Sequence, residues 1–139
     1  MEGKMKLKII DYGYKKIPYR AHVNDAGADV YLLERTILRA NETQALPLGF
    51  GVEIPIGYLG ALYPRSGHAK KGIISQIAPI DSGYTGQIHA IVTNTTNQNV
   101  ILEEGERVGQ LVIYPIAIVD FQLEQQTQRG TNAFNSTGK

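Results

Sequence analysis

Three short segments of this chain gather the residue types that hold phosphates and flat rings. The tail RGTNAFNSTGK, Arg129 to Lys139, joins an arginine, a phenylalanine, hydroxyls and two glycines. Backbone amides and an arginine fork suit phosphate oxygens, and an aromatic ring suits a base. No apolar period runs through this tail, so it cannot build a core and is expected to be disordered without a ligand. A second segment, PRSGHAKKG from Pro64 to Gly72, repeats the theme of arginine, serine and glycine. A third, IDSGYTGQ from Ile80 to Gln87, supplies one acid, Asp81, and one aromatic, Tyr84. Together they read as a nucleotide phosphate site whose parts are scattered along the sequence.

Each part also has a plainer reading. Asp81 follows the apolar run Ile73–Ile80, and a carboxylate at the edge of a buried strand is costly unless it is hydrogen-bonded or used. It is a candidate general base that orients a water, while Asp-Ser-Gly is equally ordinary turn chemistry. Tyr84, between Gly83 and Gly86, is a candidate stacking ring or a half-buried strand tyrosine. Arg65-Ser66-Gly67 stands at a candidate helix start, where free amides and the helix dipole favour anions. Gly49-Phe50-Gly51 lacks the third glycine and the long helix of a dinucleotide fold, and reads as a bulge. No phosphate-binding GxxxxGK[ST] loop occurs, and Ser66 lacks the glycine that precedes a nucleophile elbow. His22, His68 and His89 have no metal-ligand spacing and read as incidental. A metal, if used, is expected to be Mg²⁺ carried by substrate phosphates.

The positioning elements follow from short apolar runs, not helical stripes. Lys6–Ile10, Asp29–Leu33, Thr43–Leu46, Gly51–Ile54, Tyr58–Tyr63, Gly72–Ile77, Gln87–Thr93, Asn99–Leu102, Arg107–Tyr114 and Ile116–Leu123 all read as strands. Pro55-Ile56-Gly57 and Glu103–Glu106 look like hairpin turns, and Asn94–Asn99 like a polar loop. One helical turn is expected at Gly67–Lys71, with Ser66 as its N-cap. Short strands at this spacing predict an all-β sandwich or barrel, a single domain with a C-terminal arm. The size, 139 residues, suits one domain with a real core. A net charge of +1 gives no overall field toward nucleic acid or an anionic membrane. The absence of cysteine excludes disulfides, thiol nucleophiles and thiolate metal sites. The first ten residues are too short and charged for a signal peptide, and no apolar run reaches the ~20 residues needed to span a bilayer. A cytoplasmic location is the expectation.

Taken in order, the segments resemble the trimeric dUTP pyrophosphatases (dUTPases), a family with five ordered motifs. DAGADVYL (Asp25–Leu32), PRSGHAKKG, APIDSGYTGQ (Ala78–Gln87), ERVGQLV (Glu106–Val112) and RGTNAFNSTG (Arg129–Gly138) correspond to them, over roughly residues 20 to 138. The resemblance implies a jelly-roll-like β-barrel over residues 1–124, with an arm at 125–139 that closes over a neighbour's site in a homotrimer. It implies conversion of dUTP to dUMP and pyrophosphate, which keeps uracil out of DNA and supplies dUMP for thymidylate synthesis. Asp81 would activate the water, and Tyr84 would pack under the deoxyribose. Backbone of a Ser75–Ile88 hairpin, with Ile80 and Gln87, would meet the uracil. Arg65, Ser66, Gly67 and Gln110 would hold the phosphate chain. Arg129, Ser136 and Thr137 would bind the terminal phosphates, and Phe134 would stack on uracil. Asp29 would support Mg²⁺ through water.

The chain departs from the family pattern in its fifth motif, where Asn132, Ala133 and Asn135 replace glycines. Alanine is penalised at positive φ, so Ala133 is the change expected to bear most on arm closure. Ala78 replaces a glycine, Pro79 removes an amide donor, and Gly109 replaces an alanine. Two rival functions are set against hydrolysis. A dCTP deaminase needs a glutamate on the strand after the third motif, and His89-Ala90-Ile91-Val92 holds none. A regulatory binding protein on the same scaffold, acting through a protein partner as some phage-borne relatives do, remains compatible with the altered arm.

Overall fold

The computed structural model describes residues 5–125. The expectations for Arg129, Phe134, Ser136 and Thr137, and for the arm beyond Gln125, lie outside the described residues. Within them eleven strands run in chain order: β1 (Ile9–Asp11), β2 (Gly27–Tyr31), β3 (Thr36–Leu38), β4 (Thr43–Pro47), β5 (Phe50–Val52), β6 (Tyr58–Tyr63), β7 (Ile73–Ser75), β8 (Ala78–Ile80), β9 (His89–Asn94), β10 (Val100–Leu102) and β11 (Arg107–Pro115). One helix, α1 (Ser66–Lys70), sits between β6 and β7. All pairings are antiparallel. They form a sheet of order β2-β11-β6-β8, another of order β4-β9-β7, and the pairs β1-β5 and β10-β3.

The fold is all-β, as the strand spacing predicts, and jelly-roll-like, as the family resemblance implies. Alternation explains it locally. In β9 Ala90, Val92 and Asn94 point inward while the residues between them are half-buried. Val30, Leu46, Phe50, Leu62, Ile80 and Val92, drawn from both larger sheets and β5, meet in one buried cluster. Asn94 is fully buried among them and fully used. Its Nδ2 donates to the carbonyls of Leu38 (3.0 Å) and Gln98 (2.7 Å), and its Oδ1 accepts from the Thr96 amide (3.0 Å) and hydroxyl (2.7 Å). That network folds the polar loop Asn94–Asn99 back onto β3.

Several expectations need correction. Ile116–Leu123 forms no strand, because no strand among the described residues of its own copy pairs with it. The short β3 was missed, since Thr36–Leu38 carries too few apolar residues to stand out. Gly72–Ile77 is shorter than expected, since β7 spans only Ile73–Ser75, and β8 at Ala78–Ile80, in the other sheet, was not expected as a strand. Pro55–Gly57 and Glu103–Glu106 turn the chain but are not hairpins, since β5 and β6, like β10 and β11, pair with other strands. Ser66 does not cap α1. Arg65 is the cap residue, in extended conformation, without a side-chain cap bond. Gly49-Phe50-Gly51 is no bulge either, because β5 pairs with β1 in unbroken register; the irregularity lies at Arg107–Gly109 in β11.

Candidate functional site

β11 brings three of the sequence segments into one row. Gln110 lies opposite Asp29 on β2 and opposite Tyr63 on β6. Directly opposed residues share a face, so Asp29, Gln110 and Tyr63 line up across three strands. Two glycines permit this. A Cβ on Gly27 would stand 3.0 Å from the Gln110 side chain, and one on Gly109 would stand 2.8 Å from the Tyr63 carbonyl oxygen. The Asp29 carboxylate is largely buried, at 15% exposure, and the Arg107 guanidinium lies 3.7 Å away and offsets its charge. Beyond Tyr63 the chain runs through Pro64 into Arg65, Ser66 and Gly67. The Arg65 carbonyl accepts from the amides of His68 (3.2 Å) and Ala69 (3.3 Å), which starts α1. Ser66 is exposed, Arg65 is half-buried, and the guanidinium carbon stands 3.9 Å from where a Gly67 Cβ would be.

The third segment lies elsewhere. Asp81 leaves β8 into a turn closed by the Tyr84 amide donating to the Asp81 carbonyl at 3.1 Å. Gly83 at φ +95° fills the turn position that requires left-handed backbone. The Tyr84 ring lies down over Gly86, where a Cβ would stand 2.7 Å from the phenol oxygen, and its hydroxyl donates to the Gln87 carbonyl at 2.8 Å. The ring is 48% exposed yet tied at both ends. The Ser75–Ile88 stretch is not a paired hairpin. Its outgoing strand β8 pairs with β6, while the Ile88 amide donates to Phe50 (2.9 Å) and its carbonyl accepts from Leu48 (3.1 Å). The two arms splay apart and enclose a cleft of about 270 Å³ lined by Ala78–Asp81, Tyr84 and Gln87–His89. β8 is the last strand of its sheet, so no strand among the described residues pairs with its outer edge.

Residues that the sequence did not single out hold this loop. The Tyr12 hydroxyl donates to the Thr85 carbonyl at 2.8 Å, and a Cβ on Gly51 would stand 2.5 Å from the Gly86 oxygen. The Gly49 amide donates to Gln87 Oε1 at 2.9 Å. The Gln87 side chain is therefore committed to the scaffold, whatever its backbone offers in the cleft. The only sequence signal for these contacts was the Gly49–Gly51 pair, which marks a close approach of two backbones. His68, read as incidental, is 7% exposed and hydrogen-bonded to Glu106. His89, read the same way, lines the cleft, and His22 pairs with Asp25 on the surface.

Topology separates the two groups. Ile80 lies opposite Gly60, near the start of β6, whereas Arg65 follows its far end. Six residues of extended chain separate the position beside Asp81 from Arg65, which at ~3.3 Å per residue is about 20 Å. The cleft beside Asp81 is lined by residues 78–89 alone, with none from the other group.

The sequence model of the dUTPase family matches residues 13–138, which takes in all five segments. The chain belongs to the dUTPase family. Proteins named deoxyuridine 5'-triphosphate nucleotidohydrolase resemble it along almost its whole length. That of Clostridium tetani is 33% identical, covering 99% of both chains, and that of Clostridium novyi is 35% identical, covering 96% of this chain and 99% of that one. Among solved structures, a point mutant of the dUTPase of Staphylococcus bacteriophage 80alpha with dUpNHpp aligns with a TM-score of 0.79 at 27% identity, over 98% of this chain and all of that one. A point mutant of the dUTPase from phage phi11 of S. aureus aligns with a TM-score of 0.83 at 24% identity, over 89% and 99%, a likeness of fold. In this dUTPase the first four motifs thus fall into two separate groups on one chain.

Proposed function

We infer that this chain is a dUTP diphosphatase, which hydrolyses dUTP to dUMP and pyrophosphate. The observation that carries the reading is the family match over residues 13–138, with the motif residues in the two groups just described. In the mechanism we propose, Asp81 accepts a hydrogen bond from a water and orients it toward the α-phosphorus. Water adds as the bond to the bridging oxygen breaks, pyrophosphate leaves, and the proton passes through Asp81. Tyr84, pinned over Gly86, offers a flat wall to the deoxyribose. The outer edge of β8 at Ala78–Ile80 suits the polar rim of uracil, with Ile80 at the cleft wall. Arg65, Ser66, Gly67 and Gln110 supply cationic and polar donors for the phosphate chain, where charge repulsion forms most of the barrier. Arg129, Ser136, Thr137 and Phe134 complete the assignment from the arm.

The donor set suits Mg²⁺ that arrives on the triphosphate. Asp29 offers one carboxylate, already faced by Arg107, and no group of three acids or histidines stands together among the described residues. Such a lone donor fits a contact through metal-bound water, since Mg²⁺ keeps several of its waters. Bound there, the ion neutralises phosphate charge; every other role above belongs to this chain.

We propose a homotrimer with sites shared between copies, and two observations support the sharing. One is the roughly 20 Å of extended chain between the backbone position beside Asp81 and Arg65, which keeps the two in separate groups within one copy. The other is Ile116–Leu123, in which Phe121 and Leu123 are 96% and 92% exposed. That segment is unpartnered among the described residues of its own copy, and the same copy carries a groove of about 570 Å³ lined by Met5, Leu7, Ile9, Val52 and Ile113 among others. The experiment mixes two inactive variants, Asp81→Asn and Arg65→Ala, by co-expression, and measures pyrophosphate release from dUTP. Random assembly should restore about a quarter of the wild-type sites, because each site draws the two residues from different copies. No restoration would show both residues acting within one copy. Release from dUTP but not from dTTP, dCTP or UTP, and its loss with EDTA, checks substrate and metal.

A protein partner is a second reading. It rests on the 80alpha phage dUTPase, 26% identical with a TM-score of 0.80, which is described as controlling transfer of virulence genes. Capture of a partner that dUTP displaces would support it. No helix among the described residues is long and apolar enough to cross a membrane, and a cytoplasmic location is part of the same proposal.

A further inference from the structure

α1 is five residues long, has no side-chain cap, and buries one side chain only, that of His68. A helix this short has no stability of its own, so its placement depends on what that side chain meets. His68 Nε2 lies 2.6 Å from Glu106 Oε2, thirty-eight residues away at the mouth of β11. A carboxylate only accepts, so Nε2 carries the proton and donates. Glu106 is held from three other sides. Its Oε1 accepts from the Glu103 amide at 3.0 Å, its amide donates to the Glu103 carbonyl at 3.1 Å, and its carbonyl accepts from the Leu32 amide at 2.8 Å. Burial opposes ionisation of Glu106, but the Glu103 amide, His68 and the nearby Arg65 together hold its pKa below the usual carboxylate value.

We propose that His68 and Glu106 are positioning residues, whose hydrogen bond fixes the Arg65–Gly67 segment against the start of β11 so that this segment and the Asp29–Gln110 row keep one spacing. The segment directly precedes His68, and Arg107, which faces Asp29, directly follows Glu106. One bond therefore joins Arg65, Ser66 and Gly67 to the Asp29–Gln110 row. An apolar residue at position 68 would fill the same volume without fixing the rotation of α1, whereas a hydrogen bond to an immobile acceptor does. The inference rests on the assignment of the phosphate chain to Arg65–Gly67.

The test compares affinity for a non-hydrolysable dUTP analogue with affinity for dUMP, which lacks the outer two phosphates. Loss of a supporting hydrogen bond of this kind should weaken analogue binding about tenfold in His68→Ala and in Glu106→Gln, with dUMP affinity changed less than about twofold. The double variant should be no worse than either single one, because both remove the same bond. His68→Gln, which keeps a donor at similar reach, should recover affinity to within about threefold of wild type. Equal losses for the analogue and dUMP, additive losses, or wild-type affinity in Glu106→Gln would each overturn the proposal. Arg65→Ala is the control. If it leaves analogue affinity unchanged, the phosphate assignment itself fails; if it weakens binding while the pair variants do not, only the positioning role fails. Should His68→Ala not fold, Glu106→Gln and His68→Gln carry the comparison.

Discussion

Gly51→Ala is the substitution that most directly tests how the Asp81–Gln87 loop is held. A Cβ at this position would stand 2.5 Å from the Gly86 carbonyl oxygen, 2.9 Å from that of Thr85 and 3.1 Å from the Tyr12 ring. Ordinary carbon–oxygen contact lies near ~3.3 Å, so about 0.8 Å of displacement is needed. The obstacles are backbone oxygens, which cannot rotate away. β5 cannot yield easily, because Phe50 and Val52 are buried on either side and its backbone is bonded to β1 and to Ile88. The Asp81–Gln87 loop must move instead, against the Tyr12–Thr85 and Tyr84–Gln87 hydrogen bonds. Overpacking of this size costs about 1–3 kcal/mol. For a domain of this length that lowers Tm by roughly 4 °C per kcal/mol, or about 4–12 °C. Displacing Asp81 by nearly an ångström should also lower kcat by about tenfold or more. Circular dichroism melting at fixed protein concentration reads the first, and pyrophosphate release from dUTP reads the second. Gly57→Ala is the control: its φ is +92° but no atom lies within 4 Å of the added Cβ, so it should cost only about 1 kcal/mol of backbone strain and leave kcat unchanged. Wild-type Tm and kcat in Gly51→Ala would refute the close approach.

Asp81→Asn should lower kcat by about 10²–10⁴-fold while analogue affinity stays within a few fold, and near-normal turnover would remove Asp81 from the mechanism. Asn94→Ala deletes four buried hydrogen bonds and should cost about 3 kcal/mol, seen as a Tm lower by roughly 10 °C; a change under about 2 °C would show the loop held by other means. Glu106 has a folded pKa below its ordinary 4.5, so its contribution is fully present above that value and is lost as pH falls through the folded pKa. Wild-type stability should therefore fall more steeply than that of Glu106→Gln on acidification below about 4.5, and equal slopes would contradict the shift. Deleting Arg129–Lys139 should cripple pyrophosphate release yet leave the size-exclusion mass of the assembly unchanged, and full activity would refute the arm's role.

Local chemistry was legible from the sequence because it is written in adjacent residues. Short runs rich in Val, Ile and Tyr, such as Gln87–Thr93 and Arg107–Tyr114, announced strands, and the absence of helical stripes announced an all-β fold. The short segments around Asp81, Arg65 and Gln110 declared donors, acids and a ring, and their order declared the family. Pairing was not legible. Pro55–Gly57 and Glu103–Glu106 have hairpin chemistry, yet the strands around them belong to different sheets, because closing the barrel buries more apolar surface than pairing neighbours would. Ile116–Leu123 alternates like a strand, but alternation alone supplies no partner.

Only the tertiary structure decided which residues share a face. Register placed Asp29, Gln110 and Tyr63 in a row and carried Asp81 to the other end of β6. It committed the Gln87 side chain to Gly49 while Gln87 stayed in the lining of the cleft, and it buried His68 of α1 against Glu106. Side-chain type and short-range spacing are properties of the chain itself. Distances between segments thirty or more residues apart depend on strand order and register, which the whole core must settle at once.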